Sequence, residues 1–203
     1  MTYILAKSFL DKLVAFALLL LLSPLLLALL FCVWIDDHQP PLFVQKRLGQ
    51  GGYFFDLYKI RSMTSSYLHD DTSYYCYEGD SRITRLGVYL RKYSLDELPQ
   101  LFNILKGDMA IIGPRPAVHD EFEYEDVTPT MRSQIDFRMT IKPGLTGLAQ
   151  VAFRNDVTWE KKLELDCKYC NLSGFRLFVT DLYILLATAK IILFPRGTYD
   201  SRI

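Results

Sequence analysis

Two acids stand side by side in an apolar run, Asp96 and Glu97 in the stretch "SLDELPQLFN". Ionised carboxylates are costly to bury without partners, so the pair needs either a structural use or a chemical one. The structural use is a capping box, in which Ser94 caps a first helical turn and Glu97 reaches back to it. Pro99 fits a helix start, and both acids would complement the positive end of that helix. The chemical use draws on cations elsewhere in the chain. Arg115 stands between two prolines on a stiff loop, and its planar fork suits two-point contact with a phosphate. Lys59, Arg61 and Arg91 offer further positive charge. Neighbouring carboxylates can hold Mg²⁺ through one or two oxygens and leave room for substrate phosphates. One carboxylate can also attack phosphorus and form an acyl phosphate. The chemical use is therefore metal-assisted phosphoryl transfer.

Positioning those residues is the work of 203 residues, of which 50% are hydrophobic and 14% aromatic. This is enough for one ordinary domain and a membrane element. Lys plus Arg and Asp plus Glu balance at 23 each. Net neutrality gives no broad attraction to nucleic acid, which is set aside as a partner. From Leu13 to Ile35 only Ser23 is polar. As a helix this run is about 35 Å long, against a hydrocarbon core of about 30 Å. It is too long and too apolar for the core of a secretory signal, and no small-residue cleavage site follows. Pro24, at its middle, removes a helix hydrogen bond, and Ser23 can bond the freed carbonyls. Lys7 and Lys12 precede the run and Lys46 and Arg47 follow it, whereas a spanning helix favours asymmetric flanks. The residues alone leave two topologies open: a kinked spanning helix, and one that bends at Ser23-Pro24 and returns to the same face.

Further along, residues 36–48 form a polar, proline-broken exit, and Gly49, Gly51 and Gly52 mark a turn before a strand in "YFFDLYKI". Residues 65–80 read as a loop. Arg82, Arg85, Arg91 and Lys92 make a basic stretch with Leu86, Leu90 and Leu95 at helical spacing. A Gly-Asp turn precedes a short buried strand in "LKGDMAII". Residues 120–136 read as an acidic exposed helix, and "IKPGLTGLAQVAF" as a turn leading into a strand. "TWEKKLELDCKYC" is amphipathic, with Trp159, Leu163 and Asp166 on one face. "FRLFVTDLYILLATAKIILF" is broken by Arg176, Thr180, Asp181, Thr188 and Lys190, and reads as a helix at the membrane surface, or else as a buried core helix. Cys32, Cys76, Cys167 and Cys170 read as reduced thiols, because Cys167 and Cys170 form a lone C-x-x-C and the histidines are scattered.

The run "DSRITRLGVYLRKYSLDELPQLFNILKGDMAIIGPRP" resembles the signature of the bacterial sugar transferases, and more narrowly of the small monotopic phosphoglycosyl transferases. "FDLYKIRSM", "KPGLTGLAQV" and "WEKKLELDCKYC" are similar to further family motifs in the same order, so the resemblance covers nearly the whole chain. It implies an α+β fold. Residues 1–38 would be a re-entrant membrane helix broken at Ser23-Pro24. Residues 39–203 would be a small, mostly helical cytosolic catalytic domain with short strands and interfacial amphipathic helices. The implied reaction moves a sugar 1-phosphate from a UDP-sugar to a polyprenyl (undecaprenyl) phosphate and releases UMP, as the first membrane step of bacterial glycoconjugate assembly. It would run at the cytoplasmic face of the inner membrane. Asp96 would be the nucleophile, giving an aspartyl-phosphosugar intermediate and ping-pong kinetics, and Glu97 would bind Mg²⁺ beside it. Lys59, Arg91, Arg115 and Asp166 match polar positions lining the family site.

Leu148 stands where the family often has Trp, and Phe153 where it often has Gly, which bears on the donor sugar. Two other readings compete. One is a membrane-anchored scaffold or nucleotide-sugar-binding protein that keeps the fold without activity, against which intact Asp96, Glu97 and Arg115 argue. The other is a spanning Mg²⁺-dependent lipid phosphatase, which would release inorganic phosphate rather than UMP.

Overall fold

A computed structural model describes residues 2–64, 80–118, 127–153 and 158–194. Most of the expected loop at 65–80 lies outside the described residues, as do His69, Cys76, His119, the Arg154-Asn155 pair and the C-terminal tail. The apolar run forms α1 (Thr2–Asp37), which continues through Pro24. Pro24 has no N–H to give the Leu20 carbonyl four residues back. The Ser23 hydroxyl donates to that carbonyl instead, at 2.9 Å. Residues 6–36 are long and apolar enough to cross a membrane.

Strands β1 (Leu42–Leu48) and β2 (Phe54–Ile60) pair antiparallel around a tight turn in which Gly51 and Gly52 have φ of 69° and 77°. Here β1 replaces much of the polar exit expected over 36–48. Its Leu42 and Val44 are exposed, while Phe43 shares the inward face with Gln45 and Arg47, so it lacks the clean apolar alternation that marks a strand. Helix α2 (Arg85–Lys92) starts at Thr84, whose hydroxyl accepts from the Gly87 N–H at 2.9 Å. A Cβ on Gly87 would sit 2.1 Å from the Ser62 carbonyl oxygen, so only glycine lets α2 lie against the chain leaving β2.

Helix α3 (Gln100–Lys106) stops at the left-handed Gly107, and β3 (Ala110–Ile112) follows. It pairs in parallel with β4 (Gly144–Thr146), the crossover carrying α4 (Pro129–Arg138). Residues 148–153, expected to continue a strand, form α5 (Leu148–Phe153). Beyond Ile112 β4 has no partner strand, because Gly113 crosses close over Gly147, where an added Cβ would meet its carbonyl oxygen at 2.1 Å. The chain then closes its hydrogen bonds internally as helix. Helices α6 (Trp159–Cys170) and α7 (Gly174–Leu193) complete the fold.

Both halves of α1 pack on the same domain. Ala15 joins Phe55, Leu57, Leu101, Ile104 and Met109, while Leu26 and Val33 join Ile60 and Leu90. Nearer the start, the Lys7 ammonium lies 2.7 Å from an Asp181 carboxylate oxygen on α7. Facing away from the domain, Leu20, Leu21, Leu27 and Phe31 are exposed. Helix α7 buries Leu177, Asp181 and Ile184 and exposes Phe178, Leu182, Leu186 and Leu193. This arrangement, with an acid inward and leucines outward, inverts that of a helix bathed in water.

Candidate functional site

The acid pair lies in a single 3-10 turn (Leu95–Glu97) between α2 and α3. Ser94 turns the chain into it with φ of 56°, a left-handed conformation that non-glycine residues rarely adopt and that concentrates at functional sites. A capping serine needs extended backbone. Left-handed Ser94 makes no side-chain cap bond, and the capping box does not form. The Glu97 carboxylate turns to two cations instead. Its Oε1 accepts from Lys59 Nζ at 3.3 Å and from Arg115 Nη2 at 3.1 Å. Asp96 is only 8% exposed, and no group among the described residues donates to its carboxylate.

Three supports place these groups. Lys59 comes from β2, opposite Phe43 of β1. Wholly buried Asn103 on α3 clasps the β2 backbone, its amide oxygen accepting from the Tyr58 N–H at 3.2 Å and its amide nitrogen donating to the Asp56 carbonyl at 2.7 Å. Arg115 comes from the Pro-Arg-Pro loop after β3. Arg91, at the end of α2, donates from Nε to the Ser62 hydroxyl at 2.9 Å, and its charge reaches Asp96. Asp166 is not brought directly to the acid pair. It lies on α6, buried, 3.6 Å from Arg138 Nη1, while Arg138 Nη2 donates to the Arg115 carbonyl at 2.9 Å. Arg61, expected as a site cation, is buried and holds the chain leaving α1, donating to the Pro40 carbonyl at 2.9 Å.

Electrostatics divide the two acids. Burial, reinforced by the adjacent Glu97 charge, pushes Asp96 up to about 6 against the pull of Lys59, Arg91 and Arg115. Burial also pushes Glu97 upward, but the charges and hydrogen bonds of Arg115 and Lys59 outweigh it and hold Glu97 at about 2. Burial lowers Lys59, and Glu97 opposes that shift. The donor set suits Mg²⁺, which takes one or two carboxylates, keeps waters and leaves positions for substrate phosphates. Among the described residues Asp96 has no competing donor, and Glu97 commits only Oε1 to its two cations. Cys167 and Cys170 are free, and burial pushes the Cys170 thiol up to about 12, which suits an inert packed thiol.

Asn103, Arg138 and Arg47 were not read as site residues in the sequence. Asn103 lies inside the apolar "LFNIL", where a lone polar residue over an otherwise buried face is the available signal. Arg138 lies two residues beyond the exposed helix expected over 120–136, in the last turn of α4, and nothing in its spacing separates it from a surface arginine.

The family model described as bacterial sugar transferase matches residues 2–195. The chain is 38% identical to the undecaprenyl-phosphate galactose phosphotransferase of Salmonella typhimurium, over 93% of this chain and 40% of that protein. It is 36% identical to the exopolysaccharide production protein ExoY of Rhizobium meliloti, over 96% of this chain and 88% of that protein. It is 37% identical to the UDP-glucose:undecaprenyl-phosphate glucose-1-phosphate transferase of Xanthomonas campestris, over 97% of this chain and 40% of that protein. The chain thus spans well under half of the Salmonella and Xanthomonas proteins and most of the Rhizobium one.

Proposed function

The chain belongs to the bacterial sugar transferase family, and from that premise we propose that it transfers a sugar 1-phosphate from a UDP-sugar to a polyprenyl phosphate, releasing UMP. The observation that carries this reading is the divided acid pair. Asp96 is 8% exposed and receives no donor among the described residues, beside a Glu97 that two cations satisfy. Such an acid weakens a fold and suits a nucleophile. The names of the Salmonella and Xanthomonas relatives, which specify undecaprenyl phosphate and in one case UDP-glucose, support the two substrates.

In the first step an Asp96 carboxylate oxygen attacks the sugar-bearing phosphorus. The bond from that phosphorus to the bridging oxygen breaks, UMP leaves with the electron pair, and an aspartyl phosphosugar remains. In the second step an oxygen of the lipid phosphate attacks the same phosphorus. The acyl phosphate bond breaks, Asp96 regains its carboxylate, and the product is a polyprenyl diphosphate sugar. The substrates react in turn, so the donor's diphosphate and the lipid phosphate never have to occupy the site together. Arg115 and Lys59 offset the charge on the group in transfer. Glu97 would hold Mg²⁺, which when bound supplies further charge neutralisation at the phosphates.

Membrane placement follows the same logic. Lys7 and Val33, near opposite ends of α1, both pack against the one domain, which supports a helix that dips into the bilayer and returns at Ser23-Pro24. The outward leucines of α7 support a helix lying at the interface. The active turn then sits at the cytoplasmic face of a bacterial inner membrane, within reach of a soluble donor and a lipid phosphate. The test is UMP release from a panel of UDP-sugars with Mg²⁺ and undecaprenyl phosphate. Lipid-dependent UMP from one donor is expected. Inorganic phosphate without UMP would overturn the reading.

A further inference from the structure

Building on that reading, we infer that Arg138, held by Asp166, is a positioning residue for Arg115, and that Arg47 completes the same clamp. Two of the three residues in Pro114-Arg115-Pro116 lack an N–H, so the segment has little to donate and is held by its carbonyls. Pro114 accepts from the Gly144 N–H at 2.8 Å, Arg115 from Arg138 Nη2 at 2.9 Å, and Pro116 from Arg47 Nη1 at 3.2 Å. Three successive carbonyls each meet a donor from a different element: β4, α4 and β1.

The central anchor is charged and buried, Arg138 being 6% and Asp166 3% exposed. A buried ion pair adds little net stability over apolar residues of the same size. Its use here is geometric. A guanidinium presents nitrogens in a fixed plane, so one can face the Asp166 carboxylate while another meets the Arg115 carbonyl; a lysine ammonium cannot hold both directions. The Arg115 side chain is 49% exposed, and a long exposed side chain wanders unless its backbone is fixed. Pinning the carbonyls presets Arg115 toward Glu97 and lowers the entropy lost when it engages a phosphate. Asp166 therefore acts on the acid pair through Arg138 and Arg115.

The test uses the full chain with Arg138→Lys, Arg115→Lys and both together, measuring kcat and KM for UMP release and Tm for folding. Arg138→Lys should lower kcat about tenfold with KM little changed. In the Arg115→Lys background the same change should cost less than about twofold, because the residue it acts through is already altered. Losses that multiply, or a kcat loss that only follows lost folded protein, overturn the inference. A second readout is independent of turnover: ¹⁵N relaxation of the Arg115 Nε–H group. That group should be ordered in the parent and loosened by Arg138→Lys, and unchanged order overturns the inference. A parent that releases no UMP from any donor would instead overturn the transferase reading, leaving the relaxation result to decide the clamp.

Discussion

Asp96 and Glu97 are neighbours in one turn, yet the protein drives their acidities apart, Asp96 up to about 6 and Glu97 down to about 2. The cause is spatial. Lys59 and Arg115 both converge on Glu97 Oε1, and Asp96 is buried beside the remaining charge. One acid is held by two cations, and the other, the nucleophile of the proposed reaction, receives no donor among the described residues.

The divided pair sets a stability test. A carboxyl raised from 3.8 binds its proton more tightly when folded, so its contribution favours folding below the unfolded value and is lost as pH rises through about 6. In Mg²⁺-free buffer at pH 8, Asp96→Asn should therefore stabilise the protein by on the order of 2 kcal/mol while abolishing transfer. The gain should fade below pH 6 and vanish under about pH 4. A Tm series across pH checks this; no gain, or one that ignores pH, contradicts it.

Glu97 behaves in the opposite sense. Its pKa is depressed, so its stabilising effect is present above the unfolded value of 4.5 and lost as pH falls toward about 2. Removing one cation with Lys59→Met should leave Glu97 with Arg115 and lower kcat/KM for UMP release by about 10²-fold or more. A loss under about threefold would mean that Arg115 alone suffices.

The membrane account is testable by accessibility. Reporters at both termini should label from the cytoplasmic side, since both halves of α1 rest on one domain. A periplasmic N-terminus contradicts the returning helix. In a cysteine-free background, a fluorophore at Leu186→Cys on the outward face of α7 should be quenched by brominated lipid, and one at Glu164→Cys on α6 should not. Equal quenching would remove α7 from the interface.

The acid pair was legible because two adjacent carboxylates are conspicuous in an apolar run; Lys59 and Arg115 stood out as cations and do meet Glu97, whereas Asp166 entered the site only through the resemblance and lies against Arg138 instead. The α6 face carried through to the structure, with Leu163 and Asp166 both buried. The Ser94 capping box failed because a serine's backbone conformation cannot be read from its spacing to Glu97. Strand β1 was hidden because Leu42 and Val44 face outward while Gln45 and Arg47 face inward beside Phe43, and α5 because "AQVAF" suits helix or strand until β3 runs out beneath it. Arg138 and Asn103 were hidden because burial of a polar side chain is decided by distant partners.

Asn103 shows how such a residue acts at a distance. Asn103→Leu keeps the volume but strands the Tyr58 N–H and the Asp56 carbonyl. It should cost about 2 kcal/mol of stability, measured by urea unfolding. It should also reduce transfer through a displaced Lys59. Unchanged stability would mean that β2 holds its place without the clasp.

The most direct measurement is a single-turnover experiment without lipid acceptor: purified protein, Mg²⁺ and the productive UDP-sugar, with UMP quantified and the protein mass recorded. The account expects a burst of about one UMP per active site, a mass gain of one phosphosugar on the peptide carrying Asp96, and loss of both on adding undecaprenyl phosphate or replacing Asp96 with Asn. UMP release that strictly requires the lipid, with no protein adduct, would contradict it and point to direct transfer between the two substrates.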